Sequence, residues 1–392
     1  MKRILTLVSA LVILSALMLT LSGCSVDDGF VKFLQNATDK SASIEEEFAN
    51  IEIISDTAEI TFVPAYECKI EYTTHKRITY STTVENDTLK IKVEDNRRWF
   101  QRIFSFGDSS KLTVYLPAGV YSALTIEQNT GNINVPTYYV FDSVDIDVST
   151  GDTSLCALVI EALKIHATTG DITLENVSCG SLDTKVTTGK TSLSNVNVWG
   201  DATVNASTGD TELKNVSCYG NLSTVARTGD LNATGLNGGS LSIERSTGEV
   251  SLCNVKCSGS VAVKTGTGKI DARAITCTDM TVAVSSGKAS LTSVSCTSFT
   301  STGTTGDIEM TSLIASGKID IERSTGDVDF SACDAEEIYV TTGTGSVHGT
   351  LLTNKIFQVR TGTGKIDVPE SWEGGKCKIT TTTGSVKISI GQ

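Results

Sequence analysis

Fourteen glycines recur through the last two thirds of the chain at intervals of only 19 or 20 residues. They are Gly131, Gly151, Gly170, Gly189, Gly209, Gly229, Gly248, Gly268, Gly287, Gly306, Gly326, Gly345, Gly364 and Gly384. Thr precedes thirteen of them, and Ser286 precedes Gly287. A period this strict marks one short unit copied along an axis, because a unit of this length cannot bury its apolar side unless neighbours stack on it.

Aligning the units on the glycine separates an inside from an outside. Apolar residues recur two after it (Ile133, Ile172, Val250, Ile366), four after it (Leu155, Leu174, Met310) and seven before it (Val144, Leu163, Phe299). They recur again seven after it (Leu158, Val177, Val196) and nine after it, where Cys179, Cys218, Cys257, Cys277 and Cys296 alternate with residues such as Ile160 and Val198. Period two within each half-unit predicts short strands with one buried face. The expected fold is all-β: a parallel β-solenoid of about fourteen coils, roughly 65 Å long at ~4.8 Å per rung. Leucine-rich repeats have similar length but need an Asn ladder and a helical half-repeat, neither of which stands out. Glycine permits the positive φ of a tight corner, and stacked Thr hydroxyls are expected to bond along the rod.

The residue after each glycine is mostly charged, as at Asp152, Asp171, Lys190, Asp210 and Asp230. Stacked like charges repel, and the interspersed lysines relieve this. A calcium ladder would need an unbroken acidic column, so no metal is expected. An ice-binding face is disfavoured because small or apolar residues such as Val148 and Ala167 stand two before the Thr.

The chain opens Met1-Lys2-Arg3, continues apolar from Ile4 to Thr20, then reads Leu21-Ser22-Gly23-Cys24. This reads as an export signal, and its cut site resembles the lipobox of bacterial lipoproteins, which implies cleavage before Cys24 and a lipid on that cysteine. The alternative is a plain transmembrane anchor, because the 17-residue apolar segment from Ile4 to Thr20 is at the lower limit for spanning a bilayer. The expected division is 1–23 signal peptide, 24–43 spacer, 44–126 N-terminal β cap and 127–392 solenoid. Without Lys2 and Arg3 the chain has 30 basic and 45 acidic residues, a formal charge of −15. Nucleic acid is therefore not an expected partner. One segment departs from this style, Arg97-Arg98-Trp99-Phe100-Gln101-Arg102-Ile103-Phe104-Ser105-Phe106. It is either an ordinary loop tucking its aromatics against the cap or a candidate contact loop through Arg98, Trp99 and Phe100.

Catalytic chemistry is not visible. His75, His166 and His348 have no neighbour at metal-ligand spacing, and no nucleophile elbow occurs. Arg245 and Arg323, three before their glycines, interrupt a small or apolar column and are the positions that an enzymatic groove would use. No catalytic residue and no cofactor is expected. The inward cysteine column suits reduced thiols packed as small apolar groups.

The sequence Thr-Ala-Glu-Ile-Thr-Phe at 57–62, Lys-Leu-Thr-Val-Tyr-Leu-Pro at 111–117 and the serial Thr-Gly-Asp coils resemble a bacterial family of unknown function that bears the adhesin name. The likeness covers 44–392. It implies a surface-exposed β-solenoid and transfers no catalytic residue. The resulting expectation is a lipid-anchored cell-surface scaffold binding an envelope or extracellular protein or glycan. An envelope-stress or regulatory module and a polysaccharide-active β-helix enzyme are the alternatives.

Overall fold

The structure, a computed structural model, describes residues 38–74, 77–97, 110–136 and 139–391. The signal segment, Cys24, His75 and the Arg98–Trp99–Phe100 loop lie outside them. Described residues hold thirty strands, β1 (Thr38–Ile44) to β30 (Val386–Ile390), in one sheet. Between β8 (Gly119–Thr130) and β25 (Val328–Thr344) successive rungs pair in parallel in chain order, as in Leu193↔Leu213 and Ile308↔Val328. The chain is a parallel β-solenoid around one continuous apolar core.

The turn glycines form a single file. Their φ angles lie between 128° and 157°. A Cβ on any of them would fall under 3.0 Å from a backbone oxygen of the adjacent rung: Gly131 O for Gly151, Gly189 O for Gly209, Gly287 O for Gly306. Both the dihedral and the close approach demand glycine. From Gly131 to Gly326 each glycine N–H donates to the carbonyl of the residue before the next glycine, a Thr or, for Gly268, Ser286; examples are Gly131 to Thr150 at 2.9 Å and Gly209 to Thr228 at 3.0 Å. That Thr therefore serves through its backbone. The hydroxyls that donate to a turn-glycine carbonyl belong instead to Thr265, Thr342, Thr361 and Thr381, two residues earlier.

The Asp after the glycine also has a structural role. Its Oδ1 accepts the N–H of the corresponding residue one rung on: Asp152 from Asp171 (2.8 Å), Asp171 from Lys190 (2.7 Å), Asp210 from Asp230 (2.9 Å) and Asp327 from Ser346 (2.7 Å). The short side chain reaches the next rung without bending, which explains Asp in this word. Lys190 and Lys288 in the same column pair diagonally with Glu212 and Glu309 on the following rung.

A second corner lies six residues after the glycine and was not legible as a motif. Asn176, Asn195, Asn215 and Asn254 take φ of 53–56° there, followed by Ala274, Ser293, Ser312 and Ala332. Asn tolerates this left-handed region better than most residues. Asn195 Nδ2 donates to Asn176 Oδ1 and Asn215 Nδ2 to Asn195 Oδ1, both at 3.1 Å. A short Asn ladder thus exists, contrary to the sequence reading. The corner also corrects two inward assignments. The coil after Gly151 lacks it, so alternation runs straight through Leu155, Ala157 and Val159, and Leu158 and Ile160 face outward at 42 % and 52 % exposure.

At both ends the spatial order departs from chain order. Near the start, β2 (Asn50–Thr57) and β3 (Glu59–Ala65) form a rung whose corner is Ala58. The outermost rung comes later, from β6 (Thr88–Asp95) and β7 (Lys111–Pro117). β2 pairs in parallel with both β6 and β8, and β3 with both β7 and β9 (Ile133–Val135). Parallel rungs therefore occur within 44–126 as well. β4 (Cys68–Thr74) then covers β7, β1 covers β4, and β5 (Ile78–Glu85) covers β6, all antiparallel. The β5–β6 turn, Asn86–Asp87 at φ 51° and 60°, has the two positive dihedrals that suit a tight hairpin. Residues 38–43 of the expected spacer accordingly belong to the fold, within β1 (Thr38–Ile44).

The C-terminal end mirrors the exchange. After β25 and β26 (Val347–Leu351) come β27 (Lys355–Thr363) and β28 (Ile366–Asp367), then β29 (Gly375–Thr383) and β30. β29 lies between β25 and β27, and β30 between β26 and β28. The last strand in sequence is thus not an edge. β27 and β28 are.

Candidate binding face

Outward positions in this rod repeat as columns, and one column carries an anomaly. Ten residues after the glycine stand Gly180, Trp199, Tyr219, Gly239, Ser258 and Thr278. Trp199 and Tyr219, on adjacent rungs, are 60 % and 66 % exposed. Their rings stack with centroids 5.3 Å apart and planes 8° from parallel. Rung spacing dictates this geometry, since side chains from neighbouring parallel strands rise at about the separation of two stacked rings.

The pair has a local setting. The backbone of Gly180 abuts the Ile160–Glu161 bulge on one side, and Gly200 donates its N–H to Gly180 O at 2.7 Å on the other. Exposed Ile160, the bare Gly180 rung, Trp199 and Tyr219 therefore form one apolar strip. Asp201 lines it; its Oδ1 accepts both the N–H of Asn221 (2.8 Å) and Asn221 Nδ2 (3.2 Å), so both polar groups are held in place. The strip presents rigid aromatic area beside fixed polar groups, the composition of a contact hot spot. Sequence reasoning overlooked it, although the shared offset of ten was available.

The residues singled out for chemistry are placed otherwise. Arg245 is 1 % exposed and donates from Nη2 to Thr224 Oγ1 at 2.8 Å, while its Nε and Nη1 have no hydrogen-bond partner. Burial lowers its pKa to about 10. Arg323 is buried too, donating to Ser301 Oγ (2.7 Å) and Thr302 O (3.3 Å), with its pKa pushed down by burial. Each guanidinium lies beside a small residue of the preceding rung, Ala226 or Gly303, and finds a hydroxyl there two residues earlier. Both arginines are buried within the coil.

His166 sits between Asp147 and Asp183 of the flanking rungs, with Nδ1 3.4 Å from Asp147 Oδ1 and Nε2 3.5 Å from Asp183 Oδ2. The rungs bring together what the sequence separates by 19 and 17 residues. These are loose contacts, and no group of three or more potential ligands to a metal occurs among the described residues. Asp329, beside His348, has its carboxyl raised chiefly by burial. Of the candidate contact loop only its root is described, where Arg97 makes a two-pronged pair with Asp95 at 2.9 Å for both bonds.

The ten described cysteines are free thiols. Cys257, Cys277 and Cys296 occupy consecutive rungs, and burial raises them to about 11, 12 and 11. Protonated thiols of this kind are packing groups, not nucleophiles.

The family described as Toastrack DUF4097 matches residues 48–238 and 233–392. No curated protein matches the chain. Among solved structures, a "putative adhesin" of Bacteroides fragilis is 11 % identical, covering 91 % of this chain and 98 % of its own, at a TM-score of 0.25. A "putative cell adhesion protein" of Clostridium sporogenes is 7 % identical over 91 % of this chain and 100 % of its own, at 0.19. A "putative lipid binding protein" of Parabacteroides distasonis is 12 % identical over 90 % and 98 %, at 0.20. Likenesses at these scores carry no argument about function.

Proposed function

Since the chain belongs to the Toastrack DUF4097 family, we propose that it is a cell-surface β-solenoid scaffold, anchored outside the cytoplasmic membrane by a lipid on Cys24. It binds an envelope or extracellular partner and performs no catalysis. The observation that carries this reading is the stacked, exposed Trp199–Tyr219 pair in an otherwise regular outward face. Elsewhere in the repeat, the Asp171 carboxylate bonds the next rung through the Lys190 N–H, and Arg245 is buried with Nη2 on Thr224. A stiff rod with a preformed contact strip binds with little ordering cost, and copies held together on one surface add their contacts through effective concentration.

The test uses the full chain in cells. A photo-crosslinking residue at position 199 is expected to give a discrete adduct on intact cells, whereas one at position 150, in the exposed Thr column, gives none. Metabolic labelling with a radioactive or clickable fatty acid is expected to tag the native chain and not the Cys24→Ala chain. Equal adducts from both positions, or no lipid label on the native chain, would contradict the reading.

A further inference from the structure

The two ends of the rod are finished differently, and the difference points to a partner. At the N-terminal end, antiparallel β4 and β5 cover the outermost rung. At the other end β27 pairs only with β29, and β28 only with β30, among the described residues. Side chains from buried columns are left open there. Ile366 is 49 % exposed, whereas its counterparts Val347 and Val386 are fully buried. Phe357 and Val359 are only partly buried, although the residues in their columns are buried in the other rungs. Leu352, Ile356 and Trp372 are exposed around the same end. An open parallel edge with core side chains on it is a template for another strand.

We propose that a second copy of this chain occupies that edge: β27 pairs with β27 of the other molecule, antiparallel about Val359, to join two rods tail to tail. At the N-terminal end β5, the strand outside β6, runs antiparallel to the rungs, and β1 lies beyond antiparallel β4, so a further rod cannot continue the parallel stack there. A two-fold contact instead uses the same open end twice, and closes. Val359 is the midpoint of the nine-residue strand Lys355–Thr363. Centring there keeps inward residues on the inward face, setting Phe357 against Thr361 and Val359 against itself. It sets Gln358 against Arg360 and Lys355 against Thr363, so no like charges meet. Centring on Arg360 would oppose two guanidinium groups. The pairing would bury Phe357, Val359 and Ile366 and pair the free edge at once. Its use as a link between two facing surfaces rests on the anchored-scaffold reading, because a rod tethered near its N-terminus holds this end outermost.

Sedimentation equilibrium of the chain lacking residues 1–24, which leaves every described strand intact, is expected to show a monomer–dimer equilibrium. Val359→Lys should abolish the dimer. Should that variant fail to fold, exposed Gln358 keeps the test decisive. Gln358→Glu should tighten the dimer and Gln358→Arg weaken it, each by about two- to thirty-fold in Kd for two symmetric cross-strand pairs. A monomer at all concentrations, or a dimer indifferent to the sign placed at 358, would overturn the proposal. Beads carrying the protein by its N-terminus should cluster. A dimer in solution without bead clustering would leave the pairing intact and overturn its bridging use.

Discussion

The capped end and the open end of this rod are built by the same exchange of rungs yet finish differently. In each, the first or last coil of the chain is tucked inside, and the neighbouring coil in sequence becomes the outermost. An outermost rung made from a free terminus would fray, with only one neighbour to hold it. Here the outer rung is tied to the fold at both of its chain ends, so opening it gains less conformational entropy. What differs is the covering. Two antiparallel additions shield β6 and β7, whereas β27 and β28 have none. Repetition sets the body of a solenoid, but each end depends on sequence outside the repeat.

The strongest way to break this comparison is one substitution made at both ends. Gly131 packs on Ala58 inside the rod, and Gly364 packs on Gly384 at the open end. Gly131→Ala is expected to cost about 4 kcal/mol or more, or to prevent folding, as positive φ and a backbone clash combine. Gly364→Ala should cost about 1–2 kcal/mol, confined to loosening of the last rung. Urea titration and amide exchange would measure both. Equal global losses would mean that the ends are equally integral.

Next comes pH. Burial raises Cys68 to about 11, Cys179 to about 12, Cys277 to about 12 and Cys377 to about 12, from 9.0. A thiol whose folded value lies above its unfolded value stabilises fully below pH 9 and loses that contribution as pH rises toward the folded value. Stability should therefore fall between pH 9 and about 12, by roughly 1.4 kcal/mol per pH step for each such thiol once it ionises when unfolded. Thermal melts across this range would check it. Cys377 lies directly beneath Phe357 of the open rung. It should react with a thiol reagent faster than Cys179, and the opposite order would show the open end to be closed.

The middle of the rod supplies the control. Thr224→Val removes the hydroxyl that Arg245 Nη2 reaches and should cost about 2–3 kcal/mol, leaving a buried charge without that bond. Arg245→Met should be neutral or stabilising, by about 1 kcal/mol. A smaller effect is expected from Asp171→Ala, about 1 kcal/mol for the lost bond to the Lys190 N–H. Denaturant midpoints would rank all three.

The body of the fold was legible because its physics is periodic. A glycine at every corner, an apolar residue two and four later, and alternation between them leave a stacked coil as the economical solution. What escaped was whatever needed comparison between rungs. The left-handed corner at Asn176, Asn195 and Asn215 is filled by Ala274 and Ser293 elsewhere, so composition hides it. Its absence after Gly151 turned Leu158 outward. Arg245 looked like a groove residue because its Thr224 partner lies 21 residues away, one rung down. The exchanged ends were not readable, since a period says nothing about which neighbour a coil chooses. The Trp199–Tyr219 strip was readable in principle from its common offset.

Rung order at the open end is the most direct test. The exposed threonines Thr344, Thr363 and Thr383 precede their glycines, and Thr383 is in register with both of the others. With cysteine pairs introduced at these sites and a short bifunctional thiol reagent, Thr344→Cys with Thr383→Cys should cross-link within one chain, as should Thr363→Cys with Thr383→Cys. Thr344→Cys with Thr363→Cys should not. Efficient linking of 344 to 363, with none between 344 and 383, would mean that the coils follow chain order to the end and that β30 is the true edge.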